Sequence, residues 1–213
     1  MKKLILMMLI TGLGLSACSR KEESPEPASR MVVKETPGNG GSNLPSLTAT
    51  SPVQFWGKID GTVSGYQAPA HISMFQIDST AGTDSTTASY GGGVVDSAGI
   101  GIMATRGKIT YANGQPVPGP LFASLFSAGF YGYEDGITEI TYFGGGSNIY
   151  STTAGDQSGS FFQISDVVAT GTNENPKFKV VMKFNCKVYN VSDPSQSKTI
   201  TDGIMVAEFA ANK

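Results

Sequence analysis

A stretch near the C-terminus, FKVVMKFNCKVY over residues 178–189, constrains the fold of this chain more than any other feature. Apolar side chains occupy every second position, at Phe178, Val180, Met182, Phe184, Cys186 and Val188. Lysine, asparagine and tyrosine dominate the alternate positions, with Val181 as the exception. Because successive side chains of a strand point to opposite faces, this alternation predicts a long β-strand with one buried face.

The segment that follows is predicted to return as the antiparallel partner of this strand. Asp193-Pro194 marks the turn, and residues 198–209 supply the second strand. Asp202-Gly203 interrupts the alternation there, which predicts a β-bulge that shifts its phase. Cys186 lies on the apolar face, so we interpret it as a small buried side chain rather than a reactive thiol.

Other short apolar segments are separated by turn signals such as Asp60-Gly61 and Asn113-Gly114. The further candidate strands are residues 53–59, 71–77, 100–104, 108–111, 136–143 and 161–168. Roughly six to nine short strands predict a mainly β domain, either a single antiparallel β-sandwich or a partly open β-barrel. Residues 118–129 have apolar side chains at helical spacing between a proline and a glycine, which predicts one short helix.

Composition limits the classes of partner. The chain has a formal net charge of −2 and no basic blocks, which argues against nucleic-acid binding because phosphate contacts need clustered lysine and arginine. Residues 53–213 are long enough for one β-rich globular domain with a hydrophobic core. The chain has two cysteines, and a lone Cys186 in this domain predicts stability from packing without an internal disulfide.

The residues up to Cys18 have the pattern of a targeting segment. Two lysines precede an apolar run over residues 4–15, which is shorter than the roughly 20 residues that a transmembrane helix needs. The run ends in Leu15-Ser16-Ala17-Cys18, which resembles the lipobox of bacterial lipoproteins. The resemblance implies that a signal peptide of residues 1–17 is removed and that acyl chains such as palmitate on Cys18 anchor the protein to a membrane.

Residues 18–52 are rich in proline, glycine and polar side chains, which predicts a disordered, flexible linker with a typical span of about 30 Å. Ser19, rather than aspartate, follows the cysteine, and by analogy with enterobacterial sorting this argues against inner-membrane retention. Lys21, Glu22 and Glu23 resemble the lysine-plus-two-acids signal that exports some Bacteroidota lipoproteins to the cell surface. The expected location is therefore the outer membrane, lipid-anchored, with the cell surface as the candidate face.

The C-terminal part, over residues 134–210, carries a second resemblance. Its matching segments are residues 136–142, 150–152, 159–164 and 199–205. In these segments the chain resembles a group of small, uncharacterised single-β-domain lipoproteins of Bacteroidota. The resemblance implies a β domain after a lipid anchor, and it supplies no catalytic residues.

Residues that could carry chemistry are sparse. His71 is the one histidine, so a hydrolase that uses His71 is the enzymatic alternative, and one histidine with one cysteine cannot make a zinc site. Glu134-Asp135 is an adjacent acidic pair, which points to a turn rather than an acid–base dyad. Gly91-Gly92-Gly93 and Gly144-Gly145-Gly146 lack a following Lys-Ser/Thr and are predicted to be loops or hairpin turns. We therefore expect no enzyme, no cofactor and no metal.

Three serines directly follow an aspartate in the middle of the chain, at Ser79, Ser85 and Ser97. Each Asp-Ser pair is followed by a small residue or threonine and resembles the O-glycosylation acceptor of Bacteroidota. Surface sugars would add bulk and solubility to this segment. These serines are candidate modification sites.

Aromatic side chains supply the remaining functional hypothesis. Phe130, Tyr131 and Tyr133 lie between glycines and acidic residues and are the candidate ligand-contact aromatics. The leading hypothesis is a non-enzymatic lipoprotein whose β domain binds or supports a partner, either a glycan or an envelope protein. A carbohydrate-binding accessory lipoprotein with exposed aromatics is the alternative.

Overall fold

The protein forms a mainly β domain with one short helix, as predicted. The computed structural model describes residues 29–31, 44–67, 72–79, 84–135 and 137–211, with the backbone alone for 29–31 and 72–79. The strands are β1 (Ser29–Met31), β2 (Gln54–Ile59), β3 (Thr62–Gln67), β4 (Ile72–Ser79), β5 (Ser85–Val95), β6 (Ile100–Ala112), β7 (Gly129–Tyr131), β8 (Thr138–Gly144), β9 (Ile149–Ser151), β10 (Phe161–Ala169), β11 (Lys177–Asn190) and β12 (Ser197–Ala210). The helix α1 spans Gly119–Ser124, and one 3₁₀ turn spans Thr152–Ala154.

All strand pairings are antiparallel, in the order β1-β3-β2-β12-β11-β9-β8-β6-β5-β4. Strand β11 is long enough to pair with β10 along its first part and with β9 at its end, and β10 also pairs with β7. Strands β5 and β12 are not paired, yet their backbones approach each other across the core, so the single sheet folds over into two facing layers. Within the described residues β1 and β4 end the order, so the sandwich-like sheet is not closed into a barrel.

The β11–β12 hairpin confirms the alternation seen in the sequence. The side chains on its predicted apolar face are buried in the main core, apart from the half-buried Phe178. Val181 points to the opposite face, where it forms a second, smaller cluster with Ala49, Ile204 and Val206. The exception to the alternation therefore has its own apolar partners, and both faces of the hairpin are covered at this point.

The predicted bulge is present at Asp202-Gly203. The β11–β12 ladder shifts register between Phe184 and Cys186, and the β12–β2 ladder shifts between Thr201 and Ile204. Asp202 has a φ of 53°, a left-handed conformation that is uncommon for a residue other than glycine. The bulge turns the side chain of Asp202 outward from the sheet, where it is exposed.

Strand β5 corrects the prediction that Gly91-Gly92-Gly93 forms a loop or turn. These glycines lie in the buried middle of a strand that pairs with β4 and β6. A Cβ atom at Gly92 would stand 2.5 Å from the carbonyl oxygen of Glu208 in β12. The backbones of β5 and β12 come this close across the core because residue 92 has no side chain. A run of glycines normally disfavours a strand, and here the close approach accounts for it. The second cluster, Gly144-Gly145-Gly146, does form the predicted hairpin turn, between β8 and β9.

Helix α1 confirms the helical spacing and closes one end of the core. Phe122 and Phe126 are buried, and their rings lie 5.7 Å and 5.5 Å from that of Phe178. Pro120 lies in the first turn, where its missing N–H costs no intrahelical hydrogen bond. The helix is shorter than the predicted segment: it ends at Ser124 with Leu125 as its C-cap, and the chain enters β7 at Gly129.

Residues 44–49, which we call the strap, lie across the outer face of the sheet. Ala49 is 1% exposed, and its backbone N–H donates a hydrogen bond of 2.9 Å to the carboxylate of Asp166. Leu47 packs against the second cluster. The strap and β1, which pairs with β3, both lie in the segment predicted to be a linker.

Candidate functional site

The three candidate ligand-contact aromatics are divided between the surface and the packed edge of the domain. Phe130 in β7 is 73% exposed. Tyr131 and Tyr133 are half-buried, and the ring of each makes an edge contact with Phe162, at centroid distances of 6.4 Å and 6.1 Å. Of the three, Phe130 is therefore the one that presents its ring to solvent.

A buried arginine underlies this edge. The guanidinium of Arg106, a residue 3% exposed, lies 4.1 Å from the ring centroid of Tyr131. Its Nε and Nη2 donate to the carbonyl oxygen of Leu125 at 3.1 Å and 3.0 Å, and its Nη1 donates to Ile137 and to the hydroxyl of Thr138. Arg106 ties the end of α1 to the start of β8 and fixes the ring of Tyr131. Its donors serve the fold rather than a ligand.

Tyr133 is held by the interior. Its hydroxyl donates to the backbone oxygen of Phe161 at 3.1 Å and approaches that of Asn185 at 3.4 Å. Burial, followed by the neighbouring Cys186, raises the pKa of Tyr133 far above its ordinary value, so the phenol stays protonated. Burial likewise raises the pKa of the Cys186 thiol to about 12, which keeps it protonated and unreactive at neutral pH.

The outward face of β7 and β10 carries a second exposed aromatic. Phe130 pairs with Gln163, and Phe161 lies two residues before Gln163 on the same face. Phe161 is 37% exposed, whereas its neighbour Phe162 is fully buried. Phe130 and Phe161 are thus diagonal cross-strand neighbours, which are typically about 7–8 Å apart. Together they form an exposed aromatic pair.

Phe161 also lines an open groove of about 360 Å³ between the strap and the outer face of β10, β11 and β12. Leu44, Pro45, Ser46 and Leu47 form one wall. The other lining residues are Phe161, Lys183, Asn185, Asp202, Gly203 and Ile204. The groove therefore combines an exposed aromatic ring with an ammonium, an amide and a carboxylate.

The polar groups of this groove are oriented by the bulge. The side-chain oxygen of Asn185 accepts the backbone N–H of Asp202 at 2.8 Å. The carboxylate of Asp202 lies 3.3 Å from the ammonium of Lys58. A Cβ at Gly203 would be 2.8 Å from the Phe184 ring and backbone oxygen, so glycine is required beside Asp202. Bulges of this kind re-aim side chains next to binding sites.

The candidate modification sites lie in different surroundings. Ser97 is exposed in the β5–β6 turn, where the Asp96 carboxylate accepts the N–H groups of Ala98 and Ile100 at 2.9 Å and 2.8 Å. Ser85 is half-buried at the start of β5, and Ser79 ends β4. Of Ser85 and Ser97, Ser97 is the more exposed.

Glu134-Asp135 forms the predicted turn. The backbone oxygen of Glu134 accepts the N–H groups of Ile137 and Thr138 at 3.0 Å and 2.9 Å. Across the described residues, no group of three or more histidine, cysteine, aspartate or glutamate side chains could hold a metal ion. Five predicted site residues lie outside the described residues, namely Cys18, Lys21, Glu22, Glu23 and His71.

Comparisons with protein-family models, with curated proteins and with solved structures each found no match to this chain. In the part of the chain that the structure describes, no helix has the length and apolar character to cross a membrane.

Phe161 is the surface residue that sequence reasoning missed. The segment FFQIS begins a strand, and because adjacent side chains alternate between faces, one of its two phenylalanines must point outward. That signal was present in the sequence. The strap wall had no such signal, because residues 44–47 meet β11 and β12 only in the folded chain.

Proposed function

We propose that this chain is a lipid-anchored lipoprotein of the bacterial outer membrane whose β domain is a non-enzymatic binding or structural module. The observation that carries the proposal is Leu15-Ser16-Ala17-Cys18, which follows two lysines and an apolar run too short to span a bilayer. Each buried methylene of an acyl chain contributes about 0.8 kcal/mol, so two or three chains on Cys18 give a lasting anchor.

The chemistry of the domain supports a binding or structural role. Cys186 is buried with a raised thiol pKa, which disfavours a nucleophilic function. Glu134-Asp135 belongs to a turn in which backbone groups are paired, rather than to a pair of converging carboxylates. The partners we propose are the membrane, through the anchor, and a glycan or envelope protein, through the domain.

The anchor is tested by growing cells that express the protein with radiolabelled palmitate. The wild-type chain should incorporate the label and fractionate with membranes, and Cys18→Ala should do neither. Cys186→Ala is the matched control, since it removes the other cysteine and should retain the label. Membrane retention of unlabelled Cys18→Ala would overturn the anchor.

The face of the membrane is tested by protease treatment of intact cells. If Lys21, Glu22 and Glu23 direct export, the wild-type domain should be digested and the triple-alanine variant protected. A control variant that replaces Lys34 and Glu35 with alanine removes linker charges outside the motif and should remain sensitive. Equal protection of all three proteins, with digestion after detergent treatment, would place the domain in the periplasm.

A second candidate function is a carbohydrate-binding accessory lipoprotein. The observation that favours it is the exposed pair formed by Phe130 and Phe161 on one outward face. Exposed aromatic rings provide flat apolar surfaces at ligand sites and interfaces. The pair replaces the cluster of Phe130, Tyr131 and Tyr133 as the candidate contact surface.

A further inference from the structure

We propose that the groove between the strap and β10–β12 is a saccharide-binding site in which a sugar ring stacks on Phe161. This inference rests on the binding role proposed above, and it is independent of the lipid anchor. Lys183, Asn185 and Asp202 are the residues that would hydrogen-bond the hydroxyl groups of the sugar.

The composition of the groove fits this class of ligand. A pyranose has a face of C–H groups that packs on an aromatic ring, and a rim of hydroxyl groups that both donate and accept hydrogen bonds. Phe161 supplies the ring, Lys183 and Asn185 supply donors, and Asp202 supplies acceptors. Ligand pockets of about 300–1,000 Å³ combine an apolar surface with a few placed polar groups in this way, and the groove measures about 360 Å³.

The polar groups are held in place before any ligand arrives. Asn185 accepts the Asp202 N–H through its side-chain oxygen, which orients its amino group. Lys58 holds the Asp202 carboxylate from the side at 3.3 Å. These residues lie on paired strands, and a site on rigid elements loses little entropy on binding.

The bulge is a second, independent observation. Asp202 keeps a left-handed φ of 53° in a strand, a conformation that is uncommon within strands and that aspartate tolerates better than most residues with a side chain. Such outliers concentrate at ligand sites, where the surrounding structure holds them. The left-handed residue of β12 is the one whose carboxylate lines the groove.

The charged side chains of the groove are few. Lys183 and Asp202 line it, and the Asp202 carboxylate is paired with Lys58 at 3.3 Å, so the lining carries no block of like charge that would select a highly charged ligand. The strap is fixed by the hydrogen bond between Ala49 and Asp166, so the wall formed by residues 44–47 is anchored at one end. A hydroxyl-rich neutral molecule satisfies both charged groups.

The test is saturation-transfer NMR on the full lipidated chain, in a detergent without a sugar headgroup. The probes are maltotetraose, cellotetraose, chitotetraose and mannotetraose, titrated separately. At least one should receive saturation, strongest at the ring C–H protons, and Phe161→Ala should weaken its binding about tenfold. Phe161→Trp should retain binding, because it enlarges the ring surface.

Val168→Ala is the matched control, since Val168 is an exposed apolar residue of the same strand outside the groove. It should bind like the wild type, and thermal unfolding should show that all variants are folded. Absence of saturation at every probe, as expected if the groove holds a protein segment, would overturn the proposal, as would unchanged binding by folded Phe161→Ala. Palmitate labelling reports on the anchor separately, so failure of one proposal leaves the other intact.

Discussion

Gly92 of β5 and Glu208 of β12 are in backbone contact across the core: a Cβ at position 92 would lie 2.5 Å from the Glu208 carbonyl oxygen. The atom that a methyl group at residue 92 would meet belongs to the backbone of β12. It therefore cannot move aside as the end of a flexible side chain could. The separation of the two layers at this point is set by the absence of a side chain at residue 92.

Gly92→Ala should therefore destabilise the domain, by about 1–3 kcal/mol, because the added methyl group forces the two strands apart. Urea unfolding followed by tryptophan fluorescence measures the change. Gly132→Ala is the control, since no atom lies within 4 Å of a Cβ there. It should change the free energy of unfolding by less than about 0.5 kcal/mol. Equal stability of the two variants would contradict the close contact.

Arg106→Met should destabilise the domain by about 1–3 kcal/mol, because it leaves the carbonyl oxygen of Leu125 without its two guanidinium donors. Arg106→Lys should recover only part of the loss, since an ammonium cannot donate in the same fork. Lys108→Met, an exposed position on the same strand, is the control. Thermal unfolding compares the stability of the wild type and the three variants. If Arg106→Met is as stable as Lys108→Met, the hydrogen bonds of Arg106 do not stabilise the domain.

The pair formed by Asp60 and Lys198 should make a small, pH-dependent contribution to stability. Burial acts to raise the Asp60 pKa, but the Lys198 ammonium at 2.9 Å and the Thr199 N–H at 2.9 Å outweigh it, and the pKa is lowered. The contribution is therefore present above the unfolded-state pKa of about 3.9 and is lost as the pH falls through the lower folded-state value.

Asp60→Asn tests this pair, because asparagine tolerates the φ of 50° at this position as well as aspartate does. Chemical unfolding from pH 2 to pH 8 should show the variant less stable by about 0.2–1 kcal/mol at neutral pH, with the difference vanishing in acid. A difference that persists unchanged at pH 2 would assign the effect to something other than the charge.

Cys186 should resist alkylation in the folded protein. Its thiol is buried and its pKa is raised to about 12, so the reactive thiolate is scarce at pH 8. In a Cys18→Ala background, mass spectrometry after treatment with iodoacetamide should find no adduct without denaturant and one adduct in urea. Rapid labelling of the folded protein would show that the thiol is accessible.

Local patterns in the sequence predicted the parts of the fold that depend on them. The period-two alternation in β11 and the proline-to-glycine segment around α1 each lie within a few residues, so the fold class and the hairpin could be inferred directly. Strand β5 could not, because its three consecutive glycines have low strand propensity and its first half has no regular apolar alternation. It forms because β4 and β6 pair with it on both sides.

The candidate site, like the fold, could be predicted only where a local pattern encodes it. The exposure of Phe130 agrees with its glycine neighbour, whereas Tyr131 packs on the buried guanidinium of Arg106, a residue that no local pattern marks as part of the site. The groove depends on a strap more than a hundred residues away in sequence from the strands that it crosses. No local pattern encodes such a contact.

The strap also determines which recombinant fragments of this protein can be used in the laboratory. A fragment that starts at residue 53 would delete Leu47 and Ala49 and uncover the apolar surface of Val181 and Val206. The Asp166 carboxylate would also lose the hydrogen bond from the Ala49 N–H. The exposed apolar patch would make such a fragment prone to aggregation. A fragment made for the isolated domain should therefore begin at residue 44 or earlier.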